Sequence, residues 1–340
     1  MSVYSIFYWN VGLSPSALDV PEDKDPSDFT SKEIKNIQNK KKNFDLKKLY
    51  VEKILNWILI EKKIDLVFFS EVSDQDIDFF NNFIKSLGVD YSVINGAIRT
   101  DTTRFDNCCI YKTTSFFSTL DIPEVYLTSS GKHSFNVASK YQFIPHTYIK
   151  DNKLKIEDSS RLIDFYVCHW PSKLATSGEE KRYLISNTLF YELRDNLQRN
   201  FMVLGDFNAN PYEDVIYKNL NGIRCKQTVL RHGIDDADLM YLYNPSWKFL
   251  WANNNHIDNS IDVTDNGEKL IGTHYYAKNS SERWHVFDQL LLPYTLINQE
   301  KQWNFESQSL KMLNIDLISS KTWRKAKFDH LPFIFEISEI

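Results

Sequence analysis

Five short segments of this chain end an apolar run on side chains suited to phosphate and metal chemistry. In order they are Phe7-Tyr8-Trp9-Asn10, Leu66-Val67-Phe68-Phe69-Ser70-Glu71, Tyr166-Val167-Cys168-His169-Trp170-Pro171-Ser172-Lys173, Met202-Val203-Leu204-Gly205-Asp206-Phe207-Asn208 and Phe328-Asp329-His330-Leu331-Pro332. Each reads as a strand that carries an Asn, a Glu, a His, an Asp or an Asp-His pair to a loop at a sheet edge. The set supplies carboxylates, imidazoles and amides, and no segment presents a Ser or Cys as nucleophile. It points to a magnesium-dependent phosphoesterase. Hydrolysis at phosphorus needs charge neutralisation on the phosphoryl oxygens, an activated water and help for the leaving alkoxide.

Magnesium takes hard oxygen ligands and keeps several waters, so one or two carboxylates and an amide oxygen hold it. Glu71 is the acid at the end of its apolar run, and Asn10 occupies the same place on the first strand. Beyond Gly205, which lets the chain turn tightly, Asp206 can accept a proton from water, and the Asn208 amide can orient water or phosphate. His330 is the group suited to carry a proton near neutrality, and a carboxylate partner would favour its charged form. Asp288, in Trp284-His285-Val286-Phe287-Asp288-Gln289, is the candidate partner. His169 is followed by Ser172 and Lys173, both able to contact phosphate. Taken singly, each residue also fits a structural role: a strand-end acid, a turn amide, an Asx turn or a structural histidine. The combination carries the reading.

The elements that must position these groups follow from patterning. The 340 residues suit one large domain or two small ones, and the net charge of −5 is not the footprint of a protein that coats DNA non-specifically. From Leu46 to Ile60 the apolar spacing predicts a helix, as it does from Asp74 to Leu87 with Ile77, Phe80, Phe83, Ile84 and Leu87 on one side. Ser177 and Glu180 form a capping-box pattern opening a helix to about Arg199, with Tyr183, Leu184, Thr188, Tyr191 and Leu197 facing a sheet. Strands are expected over 64–70, 91–94, 107–112, 134–138, 162–169, 202–205, 271–276, 286–292, 308–313 and 333–337. The polar stretch from Gly12 to Asn43, with Lys40, Lys41 and Lys42 at its end and Lys47 and Lys48 beyond, reads as an insertion or mobile loop at about 13–45 within a single domain spanning 1–340. Cys108, Cys109, Cys168 and Cys225 show neither a disulfide framework nor a zinc spacing, and buried free thiols are expected. No leader peptide and no apolar run near the roughly 20 residues of a spanning helix is evident, so a cytoplasmic protein without membrane association is expected.

The motifs, in their order from Trp9-Asn10 to Asp329-His330, resemble those of the endonuclease/exonuclease/phosphatase family. The resemblance implies a four-layered α/β sandwich, two packed, mainly antiparallel β-sheets flanked by helices, with the site at one sheet edge. It implies that Asn10 and Glu71 lie at a Mg2+ site (Mn2+ being the other candidate), with Asp329 as a further ligand. Asp206 would activate the attacking water and Asn208 would hold it or the phosphate. His330, oriented by Asp288, would contact the scissile phosphate, and His169 would stabilise the transition state or assist the leaving group. Asn10, Ser172 and Lys173 would touch substrate. Phe328 departs from the pattern, standing where the family usually has Ser.

The leading expectation is a phosphodiesterase acting on nucleic acid, either DNA or RNA, by direct attack of water on phosphorus. The Lys-rich entry segment and the aromatics Trp247, Trp251 and Trp303, if exposed, would serve it by contacting phosphates and stacking on bases. The alternatives are a phosphomonoester, small nucleotide or lipid headgroup on the same site, and a non-catalytic binding protein. No protein partner can be read from the sequence.

Overall fold

The apolar runs form the central strands of two sheets, buried on both faces, which is why they read as continuous rather than alternating. The computed structural model describes residues 2–13, 30–100, 103–150, 153–154, 160–173, 177–233, 240–251, 257–258, 272–276, 283–313 and 328–340. The strands used below are β1 (Ser2–Asn10), β2 (Leu66–Ser70), β3 (Tyr91–Gly96), β4 (Asn107–Lys112), β5 (Phe116–Ser118), β6 (Glu124–Ser130), β7 (His133–Pro145), β8 (Ile163–His169), β9 (Asn200–Asp206), β10 (Asp288–Leu291), β11 (Trp303–Phe305), β12 (Lys311–Leu313) and β13 (Phe333–Glu339). The longer helices are α1 (Ser31–Asn56), α2 (Asp74–Leu87) and α3 (Gly178–Asp195).

One sheet has eight strands, running from Ile257–Asp258 through β12, β13, β1, β2 and β4 to β3, with β11 also on β13. The other has six, in the order β10, β9, β8, β7 and β5, with β6 on β7. Most pairs are antiparallel, but β1–β2, β8–β9 and the short pair of Ile257–Asp258 with β12 are parallel. Each parallel pair therefore delivers two strand C-termini to the same edge.

The sheets face each other through aromatic contacts. Phe68 of β2 lies 5.1 Å from Phe165 of β8 and 5.6 Å from Tyr141 of β7, measured between ring centroids. One residue on, Phe69 points the other way and stacks on Phe80 of α2 at 5.2 Å. On the far side, Ile185, Leu189 and Leu193 of α3 pack over Val137, Tyr166 and Phe201 of the six-stranded sheet. Helix, sheet, sheet and helix make the expected four layers.

Several local expectations change. Helix α1 begins at Ser31, so the last part of the stretch expected to be loop is helical. Lys, Glu and Gln are polar yet good helix formers, and no Pro or Gly interrupts them after Pro26. Residues 14–29 of that stretch lie outside the described residues. Ser177 has left-handed backbone (φ 55°) and makes no side-chain cap to α3. The face of α3 is rotated too: Tyr183 and Tyr191 are exposed, while Arg182, Ile185, Ser186, Leu189 and Leu193 are buried. The aliphatic stripe wins because tyrosine keeps its hydroxyl wet at little cost. Helix α2 matches its expected span, and its first turn is closed by Asp76, which accepts from the Ser73 backbone N–H (3.0 Å) and hydroxyl (2.8 Å). Cys225 is exposed, unlike the other three thiols. Among the described residues, no helix is long and apolar enough to cross a membrane.

Candidate active site

Three strand registers bring the polar groups to one edge. Asn10 pairs with Ser70 across β1–β2, so Glu71 follows directly beside it. His169 pairs with Asp206 across β8–β9, and Asp206 pairs in turn with Asp288 at the start of β10. Gly205 lies within β9, not in a turn; a Cβ there would sit 2.0 Å from the Cys168 carbonyl oxygen. The turn is made later by Asn208, whose left-handed backbone (φ 49°) is one that asparagine tolerates. Glu71 is also left-handed (φ 59°), a conformation that costs a glutamate about 1–3 kcal/mol and is typically retained at functional sites.

Asp206 is the hub. Its Oδ1 accepts from the Asn208 backbone N–H at 2.8 Å. Its Oδ2 accepts from Asn10 Nδ2 at 3.0 Å and Asn208 Nδ2 at 3.3 Å. Asn208 Nδ2 is itself held by the Trp170 carbonyl at 2.9 Å, which locks the amide. Asn10 Nδ2 also donates to Glu71 Oε1 at 3.1 Å, so one amide ties the two carboxylates together.

Two histidines point at this hub. His330 Nε2 is 3.6 Å from Asp206 Oδ2, while its Nδ1 bonds Asp288 Oδ2 at 2.8 Å. His169 Nε2 is 4.0 Å from the same Asp206 oxygen and 3.6 Å from Glu71 Oε1, while its Nδ1 bonds Asp106 at 2.9 Å. Burial alone would strip the proton from each imidazole. For His169 that effect is outweighed by Asp106, Glu71 and Asp206, and the pKa is pushed up to about 10. For His330, Asp288 and Asp206 outweigh burial and hold the ring protonated well above its usual range. A third imidazole, His274, lies 4.5 Å from the His330 ring and is pushed down to about 2 by burial and by its two histidine neighbours.

The other expected residues are placed less centrally. Ser172 is exposed, and Lys173 pairs with Glu213 across the rim. Asp329 is exposed and groups with His274 and His330. Phe328 is buried, 5.0 Å from Trp9 and 5.3 Å from the Lys47 ammonium, so it acts as a plug between β1 and α1. Lys47 reaches the site, donating to the Gly12 carbonyl at 2.7 Å. Gly12 itself has φ 59°, and a Cβ on it would lie 2.9 Å from that ammonium. Of the aromatics named for stacking, Trp303 is fully buried, Trp247 is half-buried and Trp251 is 78% exposed.

Asp106 went unnoticed because it precedes its strand. The edge that receives the ends of β1 and β2 also receives the start of the antiparallel β4, and the Asp106 carbonyl accepts from Val72 N–H at 3.0 Å. A search of strand starts opposite Ser70-Glu71 would have found it. His274 is marked by no such signal: it lies in a two-residue strand and meets His330 only through an isolated bridge.

The donor set fits a hard divalent cation. Glu71 is part-exposed, and the buried Asn10 Oδ1 has no hydrogen-bond partner although its amide nitrogen has two. An unpaired buried acceptor beside a carboxylate is what a cation such as Mg2+ or Mn2+ would satisfy.

No protein-family model and no curated protein matches the chain in sequence. Solved structures do match in fold. They include an endonuclease/exonuclease/phosphatase family protein from Bacteroides thetaiotaomicron (TM-score 0.52, 11% identity, 99% of this chain and 95% of that one). The human Nocturnin catalytic domain with bound sulfate anion matches with TM-score 0.51 and 15% identity, over 99% of this chain and 95% of that one. D. rerio TDP2 complexed with single strand DNA product gives TM-score 0.54 and 12% identity, over 99% of this chain and 100% of that one. At these identities the likeness speaks for the fold alone.

Proposed function

The chain has the fold of the endonuclease/exonuclease/phosphatase family, and on that premise we propose that it is a divalent-metal-dependent phosphodiesterase that cleaves nucleic acid. The observation that carries this reading is the convergence of two imidazole–carboxylate pairs and two amides on the single carboxylate of Asp206.

Asp206 accepts the proton of the attacking water, which lies in line with the scissile bond. The oxygen of that water bonds to phosphorus as the bond to the leaving oxygen breaks. Asn10 and Asn208 hold the carboxylate so that it need not reorganise. The His330 imidazolium, fixed by Asp288, donates to a non-bridging phosphoryl oxygen. The His169 imidazolium, oriented by Asp106, gives its Nε2 proton to the leaving alkoxide. Glu71 and the Asn10 Oδ1 would hold Mg2+, which supplies further charge neutralisation on the phosphate. Asp329 would add to the site through water, and Ser172 and Lys173 would contact flanking phosphates from the rim.

The reading is tested by hydrolysis of plasmid, linear duplex, single-stranded DNA and RNA with Mg2+, beside EDTA and Asp206→Ala controls. Metal-dependent cleavage that falls by about 10²–10⁴ in the variant is expected. Hydrolysis of nucleotides, sugar phosphates or phospholipids instead would keep the chemistry and replace the substrate. Metal binding without hydrolysis of any of these would make the chain a binding protein.

A further inference from the structure

A cavity of about 470 Å³ opens beside the catalytic residues, between the edges of the two sheets. Its walls include Arg104 and Asp106 from the segment leading into β4, Phe135 and Asn136 from β7, His169 from the end of β8 and Ser172 just beyond it. It is continuous with Glu71, and its volume falls within the roughly 300–1,000 Å³ of small-ligand sites. Two features of the wall are unused by the chemistry above. Arg104 is exposed at the rim. Asn136 Oδ1 is buried without a hydrogen-bond partner.

We propose that this cavity is the subsite for the nucleoside attached to the leaving oxygen, and that it takes one unpaired nucleotide with a base bearing an exocyclic amine. The inference rests on the function proposed above. If His169 protonates the leaving oxygen, the group on that oxygen lies beyond His169, and the cavity is what lies there. Phe135 lines the cavity with the Lys181 ammonium over its ring, 5.6 Å from the centroid, and an aromatic wall bearing a cation suits a nucleobase. The Arg104 guanidinium suits the next phosphate along the strand. Asn136 Oδ1, a buried acceptor lacking a donor, matches the amino group of adenine or cytosine and has nothing to accept from the carbonyl that thymine, uracil or guanine presents at that position. The exocyclic amine that would donate to Asn136 Oδ1 is one of the groups used in base pairing, so the site favours an unpaired base, as in single strands or frayed ends.

The experiment compares wild type with Arg104→Ala, Phe135→Ala and Asn136→Leu on two probes with Mg2+. One is a set of single-stranded tetranucleotides with A, C or T on the leaving side; the other is bis-(p-nitrophenyl) phosphate, whose leaving group needs neither proton nor subsite. Binding of labelled tetranucleotides is measured alongside by fluorescence anisotropy. The expected result is a loss of about tenfold in kcat/KM and affinity for Arg104→Ala and Phe135→Ala on tetranucleotides. The nitrophenyl diester should be cleaved by all four proteins equally. Asn136→Leu should erase the preference for A and C over T. Equal losses on both probes, or unchanged tetranucleotide binding in the exposed-residue variant Arg104→Ala, would overturn the subsite. Should wild type cleave neither probe, the hydrolase reading falls, and the anisotropy differences alone then decide the subsite.

Discussion

The two histidine–carboxylate pairs have the same plan and different surroundings. In each, Nδ1 is held by an aspartate and Nε2 faces Asp206. The His330–Asp288 pair is sealed, with side-chain exposures of 7% and 0%. The His169–Asp106 pair is open, at 20% and 18%, and lines the cavity. A sealed pair holds its proton and serves as a fixed positive charge against phosphate. An open pair can exchange its proton with substrate and solvent, which is what a leaving-group acid must do. One geometry thus serves two tasks, separated by access.

The comparison breaks most visibly in stability. Asp288→Asn leaves a buried imidazolium without its partner, a change that typically costs about 3–5 kcal/mol. Asp106→Asn should cost less, about 1.5–3 kcal/mol for a charge-assisted hydrogen bond near water. Urea denaturation of the two variants measures both. Equal losses would mean that the pairs do not differ in kind.

Turnover should separate the pairs more finely. With the nitrophenyl diester, whose leaving group needs no proton, Asp106→Asn should lose little. With nucleic acid the same variant should lose about 10²-fold, the low end of what a positioned general acid contributes. Asp288→Asn should slow both substrates alike, since charge on the phosphoryl group is needed in either reaction. If Asp106→Asn slowed both substrates equally, His169 would be serving as a second fixed charge.

Legibility in the sequence followed strand direction. Asn10, Glu71, His169 and Asp206 end parallel strands, so an apolar run announces each of them, and the structure gathers them within hydrogen-bonding or ion-pair reach. Asp288 begins an antiparallel strand and Asp106 immediately precedes one, so neither closes a long apolar run. Asp288 is legible only as a candidate carboxylate partner for His330, in the segment from Trp284 to Gln289, and nothing in the sequence marks Asp106. The two-sheet core was legible because both-face burial leaves uninterrupted runs such as Leu66–Ser70. The exposed face of α3 was not, because tyrosine combines a polar tip with an apolar body, and the start of α1 was not, because good helix formers there carry no apolar stripe. Composition alone does not say which part is buried.

The smallest effect is the pH dependence of stability, and it isolates one pair. His169 has its pKa raised to about 10, with burial opposed and outweighed by Asp106 and its neighbours. The folded protein therefore holds a proton that the unfolded chain releases near the ordinary value of 6.5. Stabilisation from this pair is fully present below about 6.5 and is lost as pH rises through about 10. His330 gives a slope of the same sign, so wild type alone cannot apportion it. The difference between wild type and Asp106→Asn can. With divalent cations chelated, so that Glu71 keeps its full charge, the stabilities of the two proteins should converge as pH is raised from 7 to 10. Parallel curves would show that Asp106 holds His169 by geometry and not by charge, and the open pair would then lose its claim to a transferable proton.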